Sequence, residues 1–282
     1  MGEDLRPTLT FTNTNEDLVL PEGLRASSVA IKGSPGFVSL DLSKIFYITQ
    51  LNISDVWDLR KISGAPEDGT SIMSLNVQTG QTGSNVIQVA GVALHSVALY
   101  DAGNWAFRDL ESFDELKVHG HTSFVYFENL TSGGILEFED VPLQKGLINN
   151  LSDVSAAFFS NISGYGQSDD LNYLHVKGLT ITTDLTIERS TGFAGFNSIK
   201  SVSGNMTVRD MSENPGLTFS GLTTVNNLTV VNNNNVTLDF QLLANVSKIY
   251  MASNALTTIP GNMQNLELAD EIYLNGDIET YV

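Results

Sequence analysis

The chain has 282 residues, 41% hydrophobic and 16% charged, with a formal net charge of −18 and no cysteine. Such an acidic balance excludes ordinary nucleic-acid binding, which needs clustered Lys and Arg, and it opposes an anionic membrane surface. Without cysteine there is no disulfide staple, no thiolate zinc site and no thiol catalysis. Asn, Ser and Thr together supply 76 residues and fill the place that charged residues hold in most soluble domains. No apolar run approaches the ~18 residues of a membrane span. Met1-Gly2-Glu3-Asp4 lacks the basic-then-apolar pattern of a secretion signal.

One frame recurs along the whole chain. It begins as apolar pairs at Leu9/Phe11 and Val29/Ile31, then shows its full form in Leu42-x-x-Ile45-x-x-Ile48-x-x-Leu51-x-Ile53. Leu75/Val77 and Val97/Leu99 follow, then Phe107-x-x-Leu110-x-x-Phe113-x-x-Leu116-x-Val118 and Phe127-x-x-Leu130-x-x-Gly133-x-x-Leu136-x-Phe138. Ala157/Phe159 and Leu185/Ile187 are weaker copies, and Phe196, Ile199, Val202, Met206 and Val208 repeat the frame with one extra residue. Phe219 to Val230, Phe240 to Met251 and Met263 to Leu274 complete the series. The leading strand residues are 9, 29, 51, 75, 97, 116, 136, 157, 185, 206, 228, 249 and 272, at a mean interval near 22. The longest interval, 157 to 185, contains a Gly164–Asp170 loop and room for a short extra strand at Leu174–Val176.

Each copy ends in apolar-x-apolar alternation, the period of a strand. Apolar residues three apart before it suit an approach turn that drops side chains into a core. One such unit cannot bury its own apolar edge, whereas stacked units can. The expected fold is therefore mainly β: a leucine-rich-repeat or L-domain-type solenoid of about 13 rungs of ~22 residues, with one long parallel sheet and irregular turns at the back. Residues 1–282 are expected to form a single solenoid domain.

Leu243-x-x-Val246-x-x-Ile249-x-Met251-x-x-Asn254-x-Leu256-Thr257-Thr258-Ile259-Pro260 resembles a leucine-rich repeat, and Leu222 to Asn233 gives a second copy as far as its Asn. The side-chain amides of Asn233 and Asn254 are expected to bind backbone groups where the strand turns away. The other rungs are looser and resemble the receptor L-domain variant. Asn227-Leu-Thr-Val, Asn205-Met-Thr-Val and Asp184-Leu-Thr-Ile are similar to phrases in fungal GPI-anchored cell-wall organisation proteins. That resemblance implies a secreted, non-enzymatic glycoprotein of the cell surface or cell wall. It offers no catalytic residue to carry over and leaves a possible lipid anchor to a tail outside this sequence.

Asn-x-Ser/Thr occurs at Asn52, Asn129, Asn150, Asn161, Asn205, Asn227, Asn235 and Asn245, the acceptor pattern for N-glycosylation. Polar turn chemistry can generate the same triplets. On the strand frame, Lys117 lies over Glu137, His119 over Glu139 and Tyr250 over Tyr273, each pair one strand apart on the outward face. These six are the candidate ligand-binding residues, since exposed aromatic pairs can hold the flat face of a sugar. Glu115, Glu137, Glu139, Asp184 and Glu188 also bring carboxylates to that face, and paired carboxylates are what glycoside hydrolysis requires. No His cluster, nucleophile elbow or phosphate loop is present. The expected function is structural presence and binding (wall organisation or adhesion), with wall polysaccharide or a surface protein as partner and neither enzyme activity nor cofactor nor metal. The alternatives are a ligand-binding receptor-type ectodomain, a leucine-rich protein-interaction module, and a β-helix polysaccharide-degrading enzyme.

Overall fold

The computed structural model describes residues 7–13, 18–34, 36–64, 71–78, 86–122, 124–142, 145–148, 150–163, 174–176, 179–191, 196–212, 217–234, 238–254, 265–267 and 270–275. Among them there is no α-helix. The chain is a parallel β-solenoid whose main sheet has thirteen strands in chain order. These are β1 (Thr8–Thr12), β3 (Arg25–Lys32), β5 (Tyr47–Ser54), β7 (Ser71–Gln78), β9 (Ala93–Tyr100), β11 (Ser112–His119), β13 (Ser132–Glu139), β15 (Asp153–Ser160), β17 (Ile181–Glu188), β18 (Ser201–Arg209), β20 (Thr224–Val231), β22 (Asn245–Ala252) and β23 (Glu271–Asn275). The chain divides into two compact units, Met1–Leu130 and Thr131–Val282.

Register within each unit follows the apolar frame. In the first unit Leu9 pairs with Val29, Val29 with Leu51, Leu51 with Leu75, Leu75 with Val97 and Val97 with Leu116. In the second, Leu136, Ala157, Leu185, Met206, Leu228, Ile249 and Ile272 form one column. Register is specified this strongly because a one-residue slip would turn every buried side chain to the outer face. The residues three apart also behave as the frame requires. Leu42, Ile45, Ile48, Leu51 and Ile53 are all buried, as are Phe219, Leu222, Val225, Leu228 and Val230. The spacing of three comes from a tight turn: Ile45 N donates to Leu42 O at 3.0 Å, Ile199 N to Phe196 O at 3.1 Å and Leu222 N to Phe219 O at 2.9 Å. These are the i to i+3 bonds of β-turns.

The back of the solenoid is more regular than the expected irregular turns. Eight short parallel strands form a second sheet: β2 (Leu18–Val19), β4 (Ser39–Asp41), β6 (Lys61–Ser63), β8 (Val86–Ala90), β10 (Asn104–Phe107), β12 (Phe124–Phe127), β14 (Lys145–Ile148) and β16 (Leu174–Val176). Two still shorter strands, β19 (Leu217–Thr218) and β21 (Leu238–Asp239), pair separately. The expected extra strand at Leu174–Val176 is β16, and it belongs to this second sheet. Once the main sheet fixes the rung spacing, backbone groups on the far side of each rung also come to hydrogen-bonding distance, so even two- and three-residue segments pair.

Between the sheets, aromatic rings stack from rung to rung. Trp105, Phe107 and Phe127 form one run in the first unit, with Phe107 and Phe127 centroids 5.1 Å apart and the rings 10° from parallel. In the second unit Phe196, Phe219 and Phe240 stack at 5.8 and 5.3 Å, each pair within 6° of parallel.

Among the described residues, the one immediately after a main strand turns the corner with a left-handed backbone. Asn13, Asp55, Asp101, Asp140, Asn161, Asp210, Asn232 and Ser253 all have φ between 48° and 55°, and Gly33 and Gly120 hold the same position. Asn, Asp and Gly are the residues that adopt this conformation at least cost. The corner amides continue the ladder: Asp55 N donates to Gln78 O at 3.2 Å and Asp210 N to Val231 O at 3.1 Å. Arg189, with φ 49°, is the one long side chain at this corner among the described residues.

Candidate functional site

The outward face carries polar ladders. In the first unit Asn76 Nδ2 donates to Asn52 Oδ1 at 3.0 Å, and Asn52 Nδ2 to Ser28 Oγ at 3.4 Å. In the second, Asn227 Nδ2 donates to Asn205 Oδ1 at 3.0 Å, and Asn205 gives both its backbone N and Nδ2 to Asp184 Oδ1. Parallel in-register strands place like residues side by side, so amide can bond amide along the column.

The sequon asparagines fall into two groups. Asn129, Asn150, Asn161, Asn205 and Asn245 are exposed, and Asn52 and Asn227 are half-buried within ladders. Asn129 Nδ2 donates to Arg108 O, and Asn161 Nδ2 to Asp140 Oδ1, each at 2.7 Å. Asn235 lies outside the described residues, as does the Leu256 to Pro260 stretch of the leucine-rich motif.

Lys117 and His119 lie on β11 at the end of the first unit, and Glu137 and Glu139 lie on β13 at the start of the second. The expected pairs thus each take one member from each unit. Within its own unit Lys117 Nζ is 3.2 Å from Glu115 Oε2, and the His119 ring sits 5.1 Å from Tyr100 at 52°. Tyr250 and Tyr273 do meet: their centroids are 4.9 Å apart and their planes 3° from parallel. They remain 42% and 47% exposed. Beside them Lys248 Nζ is 3.1 Å from Glu271 Oε2.

Sequence reasoning placed Glu188 on the open face with the other carboxylates. The structure corrects this: Glu188 is 3% exposed and Ser160 beside it is fully buried. Burial is possible because four donors saturate the carboxylate. Oε1 accepts from Ser160 Oγ at 3.0 Å and from Arg189 Nη2 at 2.7 Å. Oε2 accepts from Nε of Arg209 and is ion-paired with its Nη2. Arg189 Nη2 also reaches Ser160 Oγ at 2.7 Å. Burial by itself would raise the Glu188 pKa. The hydrogen bonds from Arg209 and Ser160 and the charges of Arg209 and Arg189 outweigh it, and the carboxyl stays below its ordinary range. The signal in the sequence was the pair Glu188-Arg189 with Arg209 one rung on. It could be read only with the register known.

Comparison of the chain with protein-family models, with curated proteins and with solved structures finds no match in any of the three. The site therefore stands on its own chemistry. No helix of the described residues is long and apolar enough to cross a membrane.

The Glu188 cluster makes acid stability testable. Its native pKa is depressed, so between that value and the ordinary ~4.3 the unfolded chain binds more protons, and stability rises with pH. The contribution is fully present above about pH 5 and is lost as pH falls through the native value. Glu188→Gln is expected to be less stable than wild type at pH 7. Its stability should also change less than that of wild type between pH 5 and pH 3. Urea midpoints at the three pH values check this. Equal slopes for the two proteins would show that Glu188 is not the group responsible.

Proposed function

We propose that the chain acts without catalysis, as a glycoprotein of a cell surface or wall, by presenting its outer sheet face to saccharide or protein ligands. The observation that carries this reading is the Tyr250–Tyr273 pair, which is stacked in register and open to solvent. Tyrosines held this way offer apolar ring surface and hydroxyl edges at little entropic cost on binding. The finer reading, a receptor L-domain-like protein similar to fungal GPI-anchored wall organisation proteins, is supported by the Asn-Leu-Thr-Val and Asn-Met-Thr-Val phrases at Asn227 and Asn205. Both asparagines lie in the outward ladder and head sequons. A parallel solenoid suits such a role because its face is rigid and its side chains stand at fixed intervals.

Two measurements test the proposal. Intact mass of the protein from its native source should fall by several glycans on enzymatic deglycosylation; no change would remove the surface-glycoprotein reading. Tyr250→Ala and Tyr273→Ala should each weaken binding to wall oligosaccharides at least about tenfold, as expected for an aromatic hot spot. Unchanged binding in both variants would remove the assignment of the ligand face to the tyrosines.

A further inference from the structure

We infer that Arg189 and Arg209 form a subsite for the carboxylate of an acidic saccharide, a uronate, lying across the outer face of the second unit. The inference rests on the reading of that face as a saccharide-binding surface, and it names the ligand class.

Three observations lead to it. The second unit contains two arginines in its sequence, residues 189 and 209, and both converge on Glu188. Their side chains nonetheless stay 55% and 48% exposed. Each guanidinium carries five N–H donors in a fixed plane. Glu188 and Ser160 engage only Nη2 of Arg189, and Nε and Nη2 of Arg209. Nε and Nη1 of Arg189 and Nη1 of Arg209 therefore have no partner among the described residues. The buried carboxylate cancels one of the two charges and holds both planes in place. What remains is a preorganised fork of outward-facing guanidinium donors, the arrangement that binds a carboxylate bidentately.

The second observation is backbone strain. Every other described residue at this corner is Asn, Asp, Gly or Ser, yet position 189 is an Arg at φ 49°. A long side chain in that conformation costs roughly 1–2 kcal/mol, and strain of this kind gathers where a side chain must be aimed. Gly, Asn or Asp would close the rung at less cost. None of them could reach Ser160 and Glu188 while keeping donors turned outward.

The third observation is the surrounding face. Thr186, Thr207 and Thr229 stand in one column next to the arginines, and the same column continues to Tyr250 and Tyr273. Arg209 and Tyr250 are two strands apart, about 9.6 Å along the sheet at the usual strand spacing. A short oligosaccharide spans that distance, with a carboxylate on the arginines, ring hydroxyls over the threonines and a sugar against Tyr250. Glu139, in register with Ser160 one strand before Glu188, and Glu137, Asp184 and Asp210 are the acidic neighbours within the unit. Asp184 is occupied by Asn205, and Asp210 accepts from Asn232 Nδ2 at 3.1 Å.

The test is calorimetric titration of the full chain with an oligouronate, with the neutral oligosaccharide of the same length and linkage, and with an acidic hexapeptide. Wild type should bind the oligouronate at least tenfold more tightly than the neutral analogue, with the difference shrinking in high salt. Arg189→Gln should abolish that preference, bringing the oligouronate down to the affinity of the neutral analogue. It is the milder variant, because Arg209 and Ser160 still hold Glu188; circular dichroism and a melting curve confirm that it folds. Arg209→Lys should also lose most of the preference, since an ammonium cannot make the forked contact. Equal binding of acidic and neutral sugars, or an intact preference in Arg189→Gln, would overturn the subsite while leaving the saccharide-binding face in place. Binding of the peptide without either sugar would overturn both.

Discussion

Replacing Asn233 with Leu is expected to cost about 2–5 kcal/mol, a large part of the 5–15 kcal/mol that holds a typical domain folded. Asn233 is fully buried. Its Nδ2 donates to Val208 O at 3.1 Å and to Asn254 Oδ1 at 3.0 Å, and its Oδ1 accepts from Met211 N at 3.1 Å. Asn254 repeats the arrangement one rung on, with Nδ2 donating to Val230 O at 2.8 Å. Leu would fill a similar volume but would leave the buried Met211 amide without its acceptor, at about 1–3 kcal/mol, and would strip a donor from both the Val208 carbonyl and Asn254 Oδ1. Asn227→Ala removes an amide from an outward, half-buried ladder, where water replaces the lost bond, and should cost under about 1 kcal/mol. Urea unfolding of the two variants side by side decides the matter. A small loss at Asn233, comparable to that at Asn227, would mean that the buried ladder is not a main support of the second unit.

Phe219→Ala should be about as damaging, at about 3–5 kcal/mol. The ring is fully buried and lies at the centre of a three-ring stack, between Phe196 and Phe240. Truncation removes both ring contacts, each worth about 0.5–1.5 kcal/mol beyond burial. It also opens a cavity that the stacked rungs cannot close, because the sheet on one side fixes their spacing. Phe219→Leu keeps most of the volume and loses the stacking, so about 1–2 kcal/mol is expected. Thermal melts of the two variants test the ordering. If Leu and Ala cost the same, the stacking geometry rather than the filled volume carries the energy.

Much of the fold was legible because the solenoid repeats one physical requirement. Each rung must bury the same edge, so an apolar-x-apolar pair recurs at every strand. The register of Leu9 with Val29, or of Leu228 with Ile249, follows from aligning those pairs. Asn233 and Asn254 were legible for the same reason: a polar residue among recurring apolar spacings, just past a strand, has only the turning backbone to bind. The corner residues were also present as a pattern, with Asn13, Gly33, Asp55, Asp101 and Asp140 each immediately following a strand. They pass unnoticed until φ is known, because Asn and Asp are common throughout this chain. The back sheet was not legible, since segments such as Ser39–Asp41 and Lys61–Ser63 are too short to show a period.

The candidate site divides along the same line. The stacking of Tyr250 on Tyr273 follows from register alone, one strand apart in a single column. The state of Glu188 does not. Alternation puts it on the outer face, and by that rule its carboxylate should meet water. Only the tertiary structure shows that Arg189, turned back by a left-handed corner, and Arg209, from the neighbouring rung, close over it and bury it. The amino-acid sequence by itself determined the rung, its period and its apolar face, because those depend on local alternation repeated many times. The fate of each outward charge was left to the tertiary structure, because it depends on which side chains from adjacent rungs arrive at the same point, and on whether they bring enough donors to replace water.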